Sequence, residues 1–237
     1  MRNLRVLSAL AVAAAAVLGG GPEAEAWPGF SQAKDDQGAE AEPDFGQIKA
    51  VPLFDGKSFD GWEGPPDSFR VEDGAIVGGT LKAPIPRNEF LSTKKEYRDF
   101  ELRLQVRLSG KGANGGIQIR SRRIPNNNEM KGYQADMAAG MWGSLYDESR
   151  RNRALAKPDA RELAKVLRPD DWNDYVIRCV GKRIQLWING YRTVDYTEPD
   201  DKIEQNGVIG VQIHGGGPSE TRYRNLMIKE LPGPAGK

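Results

Sequence analysis

The chain of 237 residues reads as an all-β protein, a single antiparallel sandwich or jelly roll, and three observations predict it. Short extended runs recur about 8 to 15 residues apart, roughly ten or more of them. Turn signals such as Asp73-Gly74 and Asn189-Gly190 separate them, and Asn-Gly is the strongest because both turn positions need positive φ. Only one stretch, Ala154 to Leu167, has a helical pattern.

The domain begins near Val51-Pro52-Leu53-Phe54 and runs from residue 50 to residue 232. Phe59 and Trp62 are early aromatic anchors, and Phe69 to Val77 is a hairpin around Asp73-Gly74. Phe90 to Thr93 is a short strand. Phe100 to Leu108 alternates most cleanly: Phe100, Leu102, Leu104, Val106 and Leu108 face a core, and Glu101, Arg103, Gln105 and Arg107 face solvent. Within Ala154 to Leu167 the helix starts at Pro158, with proline in its first turn, and Pro169 stops it. Trp172 to Val180, Arg183 to Ile188 and Arg192 to Tyr196 are successive strands, Gly207 to His214 is a buried one, and Tyr223 to Leu231 closes the domain.

Ahead of the domain, Arg2 and Arg5 precede an apolar stretch, Val6 to Leu18, and Ala24-Glu25-Ala26 offers a small-x-small cleavage site. Residues 1–26 are therefore expected to be a cleaved signal peptide, cut near Ala26, that sends the chain to the periplasm or outside the cell. The apolar stretch, about 13 residues, is short for a bilayer span, so no membrane span is expected in the mature chain. Residues 27–49, poor in apolar periodicity, read as a disordered linker.

Composition excludes several functions. A net charge of +1 with no long basic block gives no reason to expect nucleic acid. The single cysteine, Cys179, rules out an intrachain disulfide and a CxxC metal site, and reads as a small buried hydrophobe. With one histidine, His214, and no GxSxG elbow, a serine-hydrolase triad has little to build on. The glycine-rich turn Gly110 to Gly116 is not a phosphate loop, because no GK[ST] follows and the next element is a strand.

The candidate site lies between Asn114 and Arg151. In Asn114 to Arg120, Ile117 and Ile119 face one way, Gln118 and Arg120 the other. In Gly132 to Met137, Gln134 and Asp136 oppose Tyr133, Ala135 and Met137. Two neighbouring strands thus present amides and charges suited to a polyhydroxyl ligand. Tyr146, Asp147 and Glu148 are expected in a loop that could cover this face. Gln212 and His214 share a face of their strand, and Gln185 and Trp187 point opposite to Ile184, Leu186 and Ile188, so Trp187 could stack on a sugar ring.

LFDGKSFDGW, NGGIQIRSR, YQADM, GSLYDE, WNDYVIRCVGKRIQLWINGYRTVDY and GVIGVQIHGG, in this order, resemble the 3-keto-disaccharide hydrolase domain family. The resemblance implies a concanavalin-like, laminin-G-like jelly roll with one short helix in an insertion. It also implies hydrolysis of glycosides whose C3 hydroxyl has been oxidised to a ketone: C2 deprotonation, loss of the C1 aglycone, then hydration. Such a site needs a base and a cationic or metal group near the enolate oxygen. His214 and Asp136 are the candidate bases and Arg120 the electrostatic stabiliser. Gln118, Gln134, Tyr146, Asp147, Glu148, Gln185, Trp187 and Gln212 are candidate substrate contacts. The cofactor is left unknown, a divalent metal held by Asp136, Glu148 and His214 being possible on donor chemistry. A sugar 3-oxidoreductase would have to make the substrate. Two other readings stand beside this one. A noncatalytic carbohydrate-binding module would present an open aromatic platform, and a cell-surface interaction domain would have neither platform nor pocket.

Overall fold

The computed structural model describes residues 49–233. The expected signal peptide and nearly all of the expected linker lie outside the described residues. Strands β1 (Val51–Pro52), β2 (Trp62–Glu63), β3 (Phe69–Glu72), β4 (Ala75–Thr80), β5 (Glu89–Tyr97) and β6 (Phe100–Ser109) come first. Next are β7 (Asn114–Arg123), β8 (Met130–Ala138), β9 (Leu145–Glu148), β10 (Arg153–Ala156) and helix α1 (Ala160–Val166). Strands β11 (Asn173–Val180), β12 (Arg183–Ile188), β13 (Tyr191–Thr197), β14 (Gly207–Ile213) and β15 (Ser219–Glu230) complete the chain.

Two antiparallel sheets form the sandwich. One has the order β13-β12-β11-β6-β15-β4-β3, with β1 also on β15; the other has the order β10-β9-β8-β7-β14-β5-β2. The alternation in β6 is obeyed on its inner side, where Phe100, Leu102, Leu104 and Val106 are fully buried. They meet Ile117, Ile119, Tyr133, Ala135, Val211 and Ile213 of the opposite sheet in one core cluster. Both predicted tight turns have the mirror-image geometry that matches strand twist: φ is 51° and 72° at Asp73-Gly74, and 48° and 85° at Asn189-Gly190. Cys179 is buried, and burial pushes its thiol up to about 11.

Three local expectations are corrected. Tyr146 to Glu148 is strand β9, not loop, and Arg153 to Ala156 adds β10 beside it. The helix is accordingly shorter than expected and begins after Pro158, because Asp159 caps it by accepting from the N–H groups of Arg161 and Glu162. The charged face of β6 is not simply solvated, since Glu101 is only 1% exposed and pairs with Arg103 at 3.1 Å. Among the described residues no helix is long and apolar enough to cross a membrane.

Candidate functional site

Strand register assembles the site on the face of the second sheet that points away from the core. One row across it is Phe90, Gln212, Gly116 and Asp136; the next is Ser92, Gly210, Gln118, Gln134 and Tyr146. Glu148 shares this face two residues beyond Tyr146. Side chains alternate across a strand, so the face is the complement of the core set Leu91, Ile117, Ala135, Leu145 and Val211.

The amides form a directed chain. The Ser121 hydroxyl donates to Gln118 Oε1 at 2.7 Å, and Gln118 Nε2 donates to Gln134 Oε1 at 2.6 Å. The Gln134 amide folds over Gly116, where a Cβ would lie 2.5 Å from its Cδ and 2.9 Å from its Nε2. Only glycine leaves that room, and it brings the Gln134 amide into the gap between Gln212 and Asp136.

Asp136 is the most perturbed carboxyl on this face. It is 6% exposed, and its Oδ1 is buried without a hydrogen-bond partner. Burial raises it to about 7; Glu148 adds to the rise and Lys157 opposes it. Both side-chain atoms of Gln212 and the Ser92 hydroxyl are also buried without partners. Native interiors seldom leave such groups unsatisfied, so a cluster of them on one face marks where a polar ligand or water would sit. Glu148 is likewise pushed up, by burial and by Glu129, and pulled back by His214.

His214 follows β14, with its N–H donating to the Asn114 carbonyl. Its Nδ1 lies 2.7 Å from the Gly215 carbonyl. A carbonyl can only accept, so Nδ1 carries the proton and Nε2 keeps its lone pair in the neutral ring.

Segment 124–130 doubles back over this face. Met130 sulfur would lie 3.3 Å from a Cβ on Gly210, and Asn128 and Glu129 reach Asn88. Phe90 and Met130 are fully buried yet stand outside the core cluster, as an apolar floor beneath that segment.

Four expected site residues lie elsewhere. Arg120 sits at a β-bulge with φ 48°, where the β7–β8 register shifts between Ile119 and Arg122. The bulge re-aims its side chain. The guanidinium bonds to the Arg98 and Gly181 carbonyls, Gln205 and Asp99, at 2.6 to 3.0 Å, and is not the cation of the site. Asp147 points to the other side of β9, where Arg150 and Arg151 hold it. Gln185 and Trp187 belong to the other sheet, and Trp187 is 1% exposed, so it offers no open platform. Asp136, Glu148, Gln118, Gln134, Tyr146, Gln212 and His214 are brought together.

Sequence reasoning missed Asn88, Glu129 and Lys157. The alternation of β8, followed back from Asp136 through Gln134 and Gly132, ends at Met130 and does not find Glu129, which lies one residue before the strand. Nothing in sequence brings Asn88 or Lys157 to the site. Among the described residues no three His, Cys, Asp or Glu side chains gather as a metal-holding group. Glu148 acts on Asp136, and His214 on Glu148, through charge.

A two-sheet jelly roll carrying a row of buried amides and two raised carboxyls, Asp136 and Glu148, is thus the class that fold and site define. Residues 49–229 match the 3-keto-alpha-glucoside-1,2-lyase-like domain, and the chain belongs to that family. Solved structures share the fold. One is a provisionally assigned glycosyl hydrolase from Parabacteroides distasonis ATCC 8503, 20% identical, with TM-score 0.59, covering 77% of this chain and 94% of its own. Another is carbohydrate-binding module CBM66 from Bacillus subtilis, 12% identical, with TM-score 0.56, covering 72% and 96%. A third is the exoplasmic domain of VIP36 in a form bound to Ca2+ and Man3GlcNAc, 12% identical, with TM-score 0.56, covering 79% and 90%. No curated protein matches the chain in sequence.

Proposed function

We propose that the protein cleaves 3-keto-glycosides by elimination and hydration, with Asp136 as base. The observation that carries this is the buried Asp136 carboxyl with an unpartnered Oδ1, raised to about 7 beside donor amides. A base with this affinity is ionised in useful amount at neutral pH and still holds a proton well. Asp136 takes the C2 hydrogen as a proton; the C–H electrons form the enolate whose charge rests on the C3 oxygen. The enolate collapses to a C1–C2 double bond as the C1–O bond breaks and the aglycone oxygen takes a proton. Asp136, protonated in the first step, supplies it, and the Nε2 lone pair of His214 accepts a proton from the incoming water. Water then adds, oxygen to C1 and hydrogen to C2, for net hydrolysis. The amide donors of Gln134 and Gln212, with exposed Lys157, take the enolate-stabilising role expected of Arg120.

The substrate is a carbohydrate glycoside oxidised at C3, so an oxidoreductase acting on sugar C3 must precede this step. The basic and apolar segment before Ala26 supports export to the periplasm or beyond.

A noncatalytic sugar-binding module is the second reading, favoured by the shared fold with a carbohydrate-binding module. It loses its main support with Trp187 buried.

The deciding assay compares aglycone release from a chromogenic 3-keto-glucoside and from the unoxidised glucoside, using wild type, Asp136→Asn and His214→Ala. Turnover of the keto compound alone, lost in Asp136→Asn, is expected. No turnover, with sugar binding retained in calorimetry, selects the binding module.

A further inference from the structure

The two peptide groups flanking Gly215 are pinned by different partners. Asn88 Oδ1 accepts the Gly215 N–H at 3.0 Å, and the Ile85 carbonyl accepts the Gly216 N–H at 2.8 Å. The Arg87-Asn88 backbone presses so closely that a Cβ on Gly215 would lie 2.8 Å from the Arg87 Cα. The Gly215 carbonyl, fixed between these two ties, is the group that meets His214 Nδ1. Asn88 spends its remaining groups on the other wall of the site. Its Nδ2 donates to Glu129 Oε1 at 3.0 Å, and its backbone carbonyl accepts from Asn128 Nδ2 at 2.7 Å. Because one amide end faces an N–H and the other a carboxylate, the orientation of the Asn88 side chain is determined.

We propose that Asn88 is a positioning residue that locks the single histidine of the chain in its Nδ1–H tautomer, reserving Nε2 for substrate. The tautomer follows from the hydrogen bonds alone; only the use of Nε2 rests on the function proposed above. A free neutral imidazole favours the opposite, Nε2–H, form, so the local structure must impose this one. It does so through a backbone carbonyl that Asn88 holds from one side and Ile85 from the other.

One histidine in the chain makes the test direct. The full-length protein, labelled with 15N in histidine, is measured by two-bond proton–nitrogen correlation above the ordinary imidazole titration range. The expected wild-type spectrum has a pyrrole-type Nδ1 and a pyridine-type Nε2. Asn88→Ala should shift the ring toward Nε2–H. Asn88→Asp combined with Glu129→Gln, which keeps an acceptor for the Gly215 N–H without facing two carboxylates, should restore the wild-type pattern. A wild-type ring in the Nε2–H form overturns the proposal, and so does an unchanged tautomer in a folded Asn88→Ala. If wild type shows the expected tautomer but turns over no 3-keto-glucoside, the lock stands and the enzyme reading falls.

Discussion

Gln118 Nε2 donates to Gln134 Oε1 across 2.6 Å, and this bond decides which end of the Gln134 amide faces the site. With its oxygen engaged, Gln134 offers N–H donors over Gly116, between Gln212 and Asp136. Replacing Gln134 by Leu removes the donor while keeping the bulk. In the proposed reaction it should lower kcat about 10²–10³-fold, the usual loss for one donor to a developing oxyanion. Ser121→Ala releases only the far end of the chain and should cost much less. Steady-state kinetics on a 3-keto-glucoside checks both, and equal losses would contradict a directed amide chain.

Asp136 makes activity and stability oppose each other. Its carboxyl titrates near 3.8 when the chain is unfolded and near 7 when folded. Between those values the folded state binds the extra proton, so stability falls as pH rises and levels off above about 7. Asp136→Asn removes that penalty. It should abolish turnover and raise stability at neutral pH by an amount on the order of 2–4 kcal/mol, with little change near pH 4. Thermal melts of both proteins across this range test it. In wild type, kcat/KM should climb with pH through about 7 as the base ionises.

Legibility in the sequence followed the strength of the local rule. Core alternation in β6 and β7, and the Asn189-Gly190 turn, were readable because a period of two and a positive φ are properties of a few adjacent residues. The same rule placed Gln118, Gln134, Asp136 and Gln212 on one face, and register then set them side by side. Arg120 failed because alternation assumes an unbroken ladder, and the bulge after Ile119 breaks it at that residue. Trp187 failed differently: its face was read correctly, but alternation cannot say which sheet a strand joins. Asn88 reaches the site through hydrogen bonds to Glu129 and Gly215, far away in sequence. No periodicity encodes that contact.

Arg120 should behave as a structural residue. Its fully buried guanidinium ties the β5–β6 turn, the Gly181 turn and Gln205 to β7. Arg120→Ala leaves the Arg98 and Gly181 carbonyls without this donor and the buried Asp99 carboxylate with the Gly181 N–H but no counter-charge, and should cost about 3–5 kcal/mol. Arg120→Lys supplies one compact ammonium in place of the fork and should recover only part of it. Denaturant unfolding measures the loss. The kcat of whatever fraction remains folded should stay close to wild type, whereas a catalytic Arg120 would lose kcat in the lysine variant at full folding.

Glu198 sets the acid limit of the domain. Burial would push its carboxyl up, but hydrogen bonds from Arg151 and Tyr133 outweigh it and hold the group at about 2. The same Arg151 reaches Asp147, so one guanidinium joins the end of β9 to the segment after β13. A carboxyl depressed below its ordinary value of 4.5 stabilises the fold fully above about 4.5. That contribution disappears as pH falls from there toward 2, on the order of 2 kcal/mol for this group. Glu198→Gln should therefore lower the melting temperature at neutral pH and flatten its decline on acidification, with the two curves converging near pH 2. Parallel curves over the whole range would mean that the Arg151 pair contributes nothing to acid stability.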